Sequence, residues 1–369
     1  MKILLLSITA GQGHHQTAKA IAEYFEKNGH ETVQLDCYEY LSPSIKEAVS
    51  GGYLVSTKYV PQLWGKFYAL MEKYDEYDPI VKGANHIMSR SLLKYVDDCK
   101  PDAVICTHVF ACMLMTYIKR KRPDIMSVGV LTDFRLHPYF ECTELDYYVI
   151  PNEYLIYSVC EKGIPKEKIL TTGIPIMEKF MNKKDKNEAR KELGIENNNT
   201  ILVMGGSMGF GNMTKTLKKV DSLELDFQIV VVCGSNKKLY KKINSTDFTH
   251  KVYNMGYASN VDLLMDASNL IITKPGGLTT SESLSKELPM ILSKPIPGQE
   301  DRNSEFLLNF GCAMKISKTL SAEEIVYQFF SNDEKRKNMV NNIKLIKKPY
   351  AVKDLYEFII NIKNKTEEI

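Results

Sequence analysis

Short, nearly continuous apolar runs alternate with stretches of helical period along almost the whole chain, and this alternation limits the fold more than any other feature. A strand buried on both faces carries Val, Ile and Leu on both sides of its pleat, and parallel strands need a crossover between them, usually a helix. The runs at 3–8, 32–35, 103–106, 127–131 and 147–150 read as strands of one parallel sheet. Those at 201–204, 228–233, 252–255, 270–273, 290–292 and 313–316 read as a second. After the first run, Ala18, Ile21, Ala22 and Phe25 fall at i, i+3, i+4 and i+7, one apolar helical face. Polar, unpatterned stretches at 183–187 and 196–199 flank a short helical segment at 188–193 and separate the two sets. The expectation is an α/β protein of two Rossmann-like domains, 1–178 and 179–345, with helices at 333–345 and 350–362 closing the structure.

Composition agrees with two cores and excludes several classes. Of 369 residues, 44% are hydrophobic and 25% charged, ample for two domains of ordinary size. The net charge of +3 rests on 48 basic and 45 acidic residues, so no nucleic-acid partner is expected and an anionic partner would need a local patch. Eight cysteines are scattered without a CxxC pair, which suits reduced thiols in a cytosolic protein. The start, Met1-Lys2-Ile3-Leu4-Leu5-Leu6, has a run too short for a signal peptide and leads into a Gly/His loop, as a buried first strand would. No run approaches the ~20 apolar residues that span a bilayer, so the chain is expected to be soluble or to rest on a membrane surface.

Four motifs sit where strands hand over to helices, the edge at which open α/β sheets bind ligands. In the first, Gly11 and Gly13 precede His14, which can project from the mouth of the first helix. Position 16 is Gln16, so the dinucleotide fingerprint is absent; a capping or surface histidine is the plain alternative for His14. The second places Asp133 and His137 just after a strand, fit to orient each other or a substrate hydroxyl, or merely to cap a turn. The third, Gly205-Gly206-Ser207-Met208-Gly209, opens the second domain with small residues and a hydroxyl suited to phosphate, or with a structural glycine turn. The fourth is the most specific: Lys274-Pro275-Gly276-Gly277-Leu278-Thr279-Thr280-Ser281-Glu282 offers helix-start donors and a carboxylate suited to a ribose diol. Pro297-Gly298-Gln299-Glu300 follows on the loop after the next strand.

Taken together, Gly11-Gln12-Gly13-His14, Thr132-Asp133-Phe134 with His137, Pro275–Thr279 with Glu282, and Pro297–Glu300 resemble the monogalactosyldiacylglycerol synthase and processive diacylglycerol glucosyltransferase family, within glycosyltransferase family 28. The motifs occur in that family's order over nearly the whole chain. The resemblance implies a GT-B fold, two Rossmann-like domains facing an interdomain cleft, with 346–369 packing back on the N-terminal domain. It implies inverting transfer of a hexose, expected to be glucose, from a UDP-sugar to diacylglycerol or a similar lipid. His14 is then the general base, with Asp133 and His137 beside it. Gly13, Ser207, Met208 and the turn Pro275–Thr280 meet the donor, Glu282 holds the ribose, Gln299 and Glu300 the sugar, and Tyr257 lies near the uracil. The run near Gly205 is shorter than the family often carries, and no DxD motif is present, so no metal or other cofactor is expected.

Residues 51–78 interleave aromatic, aliphatic and basic side chains, among them Tyr59, Trp64, Lys66 and Phe67. An ordinary amphipathic helix facing the core would read the same way; with the resemblance, a peripheral docking element on the inner face of the cell membrane is expected. Three other readings stay open: a transferase with another lipid-linked or small-molecule acceptor, a UDP-sugar 2-epimerase on the same fold, and a nucleotide-sugar sensor.

Overall fold

The structure, a computed structural model, describes residues 1–9, 12–41, 79–205 and 213–367. Gly11, Ser207 and Met208, and the segment containing Tyr59, Trp64, Lys66 and Phe67, lie outside the described residues. Two compact units emerge: Met1–Glu178 with Ile296–Gln299 and Tyr350–Ile369, and Lys179–Pro295 with Glu300–Pro349.

The first unit runs β1 (Lys2–Ser7), α1 (Gly13–Lys27), β2 (Glu31–Asp36), α2 (Cys37–Leu41), α3 (Pro79–Cys99), β3 (Ala103–Cys106), α4 (Val109–Lys119), β4 (Met126–Val130), β5 (Tyr147–Val149), α5 (Ile156–Cys160) and β6 (Ile169–Leu170). All its strands pair in parallel, in the order β2-β1-β3-β4-β5-β6. The order reverses between β1 and β3, so the carboxyl ends of those two strands form the crevice of this sheet. The apolar face read from the sequence is the buried face of α1, with Ala18, Ile21, Ala22 and Phe25 all covered. The edge strand β6 was not legible, because Ile169 and Leu170 stand between Lys168 and Thr171 without an apolar run.

The second unit runs α6 (Lys186–Leu193), β7 (Thr200–Met204), α7 (Met213–Asp221), β8 (Gln228–Val232), α8 (Lys237–Asn244), β9 (Val252–Met255), α9 (Val261–Ala267), β10 (Leu270–Thr273), α10 (Gly277–Ser285), β11 (Met290–Leu292), α11 (Gln299–Asn309, its first residue grouping with the first unit), β12 (Ala313–Lys315), α12 (Ala322–Phe330) and α13 (Asp333–Ile346). The sheet is again all parallel, ordered β12-β11-β10-β7-β8-β9, with its reversal between β7 and β10. Local chemistry sets the helix ends. Asp185 accepts from the N–H groups of Asn187 and Glu188 to start α6, and Gly194 at φ 66° ends it in the left-handed region. The final helix, α14 (Ala351–Glu367), returns to the first unit: Tyr356 packs on Phe25 at 5.0 Å, Phe358 on Tyr147 at 4.8 Å, and Lys363 meets Asp102 at 3.0 Å.

One close approach places the carboxyl end of β4. A Cβ at Gly129 would lie 2.9 Å from Leu145 Cδ1 and 3.1 Å from Cys112 Sγ, inside a packed core. Gly129→Ala is therefore expected to cost about 1–2 kcal/mol by overpacking. A lower urea midpoint at unchanged slope checks this, and an unshifted midpoint contradicts it. The eight cysteines are all free, five of them buried.

Candidate active site

At the carboxyl end of the first sheet, α1 follows β1 so closely that His14, in its first turn, faces the chain leaving β3 and β4. His14 Nδ1 lies 2.8 Å from the Thr107 carbonyl and 3.0 Å from Thr132 Oγ1, while Thr107 Oγ1 donates back to the His14 carbonyl at 3.1 Å. A carbonyl only accepts, so Nδ1 carries the proton and Nε2 the lone pair. Burial lowers the His14 pKa from its ordinary value, opposed by the charge of Asp133 and the bond to Thr107. The imidazole is accordingly neutral at neutral pH, with its basic nitrogen defined.

Two further histidines have the opposite tautomer. His108 caps α4 and accepts at Nδ1 from Phe110 N–H at 3.2 Å; its ring meets that of His14 edge-on, centroids 4.5 Å apart. His137 caps the 3₁₀ turn Pro138–Cys142 and accepts at Nδ1 from Tyr139 N–H at 3.2 Å. Both therefore present Nε2–H as a donor. Burial pushes His137 down to about 4 and His108 well below the imidazole range, with His14 nearby adding to each. His137 thus has a local capping role in addition to any contact with a ligand. Asp133 accepts from the Gln299 amide at 3.0 Å. Gln299 and Glu300 do not sit on a loop, as the sequence suggested, but open α11 after Gly298 turns the chain at φ 100°.

The second unit builds its site at its own reversal, where β10 leads into α10. Gly276 is the N-cap, and the first intrahelical bond runs from Thr280 N–H to the Gly276 carbonyl. The N–H groups of Gly277, Leu278 and Thr279 thus have no intrahelical acceptor, and a helix start of this kind is suited to hold phosphate. Pro275 is held from behind by Asn303 Nδ2 at 2.9 Å. Lys274 Nζ reaches Glu300 Oε1 at 2.7 Å, with Glu300 only 7% exposed. Glu282, partly buried on α10, has its carboxyl pushed up to about 8 by burial; Lys179 opposes this and Asp262 adds to it. Tyr257, after β9, is 76% exposed.

Thr280 corrects the sequence reading. It is fully buried, and among the described residues its hydroxyl has no hydrogen-bond partner, so its side chain faces the interior and not the surface of the turn. One helical turn beyond Gly276, its side chain points inward, a phase that residue type alone does not reveal. Among the described residues, no group of three His, Cys, Asp or Glu side chains could hold a metal ion. No described helix is long and apolar enough to cross a membrane.

Comparison with known proteins identifies the family and the fold. Residues 14–176 match the model of monogalactosyldiacylglycerol (MGDG) synthase, and residues 200–355 that of the glycosyltransferase family 28 C-terminal domain. The processive diacylglycerol beta-glucosyltransferase of Bacillus pumilus (strain SAFR-032) is 29% identical over 367 residues, covering 97% of this chain and 94% of its own. That of Bacillus thuringiensis (strain Al Hakam) is 30% identical over 370 residues, covering 97% and 93%. The chain belongs to the processive diacylglycerol beta-glucosyltransferase family. It is a glycosyltransferase, of the hexosyltransferase class. Its fold is GT-B: the Acinetobacter baumannii MurG structure matches at TM-score 0.67 and 16% identity, covering 98% of this chain and 99% of that one. The S. aureus MnaA–UDP co-structure matches at 0.65 and 14%, covering 98% and 97%.

Sequence reasoning singled out His14, Asp133, Glu282, Gln299 and Glu300, but it missed Thr107, His108, His15 and Asp36. Thr107 and His108 directly follow β3, as Thr132 and Asp133 follow β4 one residue on, and that placement was the available signal.

Proposed function

We propose that this glycosyltransferase transfers a hexose, in the first instance glucose, from a UDP-sugar to the hydroxyl of diacylglycerol, with inversion. The observation that carries the reading is the His14 tautomer: with Nδ1–H given to the Thr107 carbonyl, Nε2 is a neutral base at the crevice of the first sheet. In the proposed step the acceptor oxygen bonds to the anomeric carbon as the bond from that carbon to the diphosphate breaks. The hydroxyl proton passes to His14 Nε2, and UDP leaves with the electron pair. The N–H groups at the start of α10 receive the charge developing on UDP, and Glu282 takes the ribose diol. Ser207 and Met208 join the diphosphate contacts, Gln299 and Glu300 the sugar hydroxyls, and Tyr257 the uracil edge. The Bacillus relatives' names and the UDP-bound structures of the same fold support donor and acceptor alike. No metal is assigned a role.

Incubation with diacylglycerol vesicles and a panel of UDP-sugars should yield a lipid heavier by one hexose, most with UDP-glucose, its anomeric proton showing the β coupling. Absence of glycosylated lipid with every donor overturns the acceptor; an α anomer overturns inversion. Turnover of UDP-N-acetylglucosamine without acceptor would point to the epimerase reading.

Peripheral docking on the inner membrane face through 51–78 belongs to the same proposal. Replacing Trp64, Phe67 and Lys66 together is expected to lower binding to anionic vesicles by about tenfold, from lost apolar burial and one lost basic contact. Unchanged binding in a sedimentation assay removes this segment from the docking surface.

A further inference from the structure

The ring beside His14 is anchored at both of its nitrogens. Ser7 Oγ, at the end of β1, lies 2.7 Å from His15 Nδ1. On the other side Thr9 Oγ1 lies 2.7 Å and Asp36 Oδ2 3.2 Å from His15 Nε2. Thr9 gives its one hydroxyl hydrogen to Asp36, so toward Nε2 it accepts, and the carboxylate accepts as well. His15 Nε2 therefore carries a proton. Asp36 is in turn fixed at the end of β2, accepting from the N–H groups of Thr9 at 2.9 Å, Tyr38 at 3.0 Å and Glu39 at 3.1 Å. Burial works against its ionisation, but the bonds from His15, Thr9 and Glu39 outweigh it and hold the carboxyl well below its usual range.

Consecutive residues thus tie the first turn of α1 to four strand ends. His15 reaches the ends of β1 and β2, and His14 reaches the chain leaving β3 and β4. The N-cap, Gln12, makes no side-chain capping bond among the described residues, so the turn depends on these contacts and on Thr107 Oγ1, which donates to the His14 carbonyl. An uncapped helix start is prone to fray, and a base that moves by about 1 Å loses about 10²-fold in rate.

We propose that His15, held by Asp36 and Thr9, is a positioning residue for glycosyl transfer, clamping the first turn of α1 so that His14 Nε2 meets the acceptor hydroxyl. The assignment rests on His14 acting as the base. His15 itself touches neither donor nor acceptor in this role.

Substitution at position 15 separates a clamp from a filler. Gln places an amide N–H where Nε2–H stands; Leu fills similar volume without a donor. His15→Leu is expected to lower kcat by about 10- to 100-fold with KM for the UDP-sugar changed by no more than about twofold. His15→Gln is expected to recover most of that loss. Long-range proton–nitrogen spectra of the His14 ring should show a single Nδ1–H tautomer in the wild type and the Gln variant, and a mixture in the Leu variant. Should His15→Leu not fold, Thr9→Val, which removes only the bridging hydroxyl, is expected to lower kcat by about 3- to 10-fold. Wild-type kcat and an unchanged His14 tautomer in the Leu variant overturn the clamp, as does a Gln variant no better than Leu; for Thr9→Val, wild-type kcat does so. Failure of the underlying reading looks different: His14→Ala then keeps turnover, and the His14 spectra alone decide whether His15 orders the turn.

Discussion

His14→Ala is expected to lower kcat by about 10³-fold, the ordinary contribution of a positioned general base, while UDP-sugar binding stays near wild type. The expectation follows from which unit carries each proposed contact. His14 stands at the crevice of the first sheet, and the proposed donor contacts at Glu282 and the start of α10 belong to the second. Single-turnover kinetics with a separate titration of the donor makes the distinction, and wild-type kcat in the variant removes His14 as the base. The pH dependence gives a second check. Burial holds His14 below the ordinary imidazole range despite Asp133 and Thr107, so its basic form is retained as pH falls through that range. The acid limb of kcat should accordingly lie below the position of an exposed histidine. Asp133→Asn removes the charge that favours the imidazolium and should move that limb further toward acid.

Glu282→Gln is expected to weaken UDP-sugar binding by about 10- to 100-fold at pH 8.5, the worth of hydrogen bonds to a charged group. Its pH signature is sharper than its size. Because burial pushes the free carboxyl up to about 8, the protonated form prevails at pH 7, whereas a diol donating two hydrogen bonds favours the ionised form. Binding must then release a proton. Affinity should rise on the order of tenfold between pH 6.5 and 8.5 and flatten above the free carboxyl's pKa. In calorimetry the apparent enthalpy should vary with the ionisation enthalpy of the buffer at pH 7, and this variation should vanish in Glu282→Gln. Proton release that persists in the variant would assign the linked group elsewhere.

The two histidines of the Gly-His loop show why sequence and structure contribute differently. His14 drew notice because glycines precede it at a strand-to-helix turn, a local pattern. His15, one residue further, carried no local signal, since Asp36 reaches it through the pairing of β1 with β2, and Ser7 and Thr9 only once α1 folds back on β1. The tautomer of His14 depends on Thr107, ninety-three positions away, and on Thr132 beyond it. Thr280 is the opposite case: its hydroxyl suited a phosphate by type, but the rotation of α10 turns it into the interior.

The sequence by itself determined the strands other than β6, their alternation with helices, the separation into two α/β units and the turn at Gly298. It could do so because burial imposes a period, and a tight turn imposes glycine, on neighbouring residues. Only the tertiary structure decided which nitrogen of His14 is basic, that His108 and His137 are donors, and that burial pushes the Glu282 carboxyl up. Those properties come from carbonyls, charges and lost hydration supplied by distant segments, and a linear pattern does not record which segments will meet.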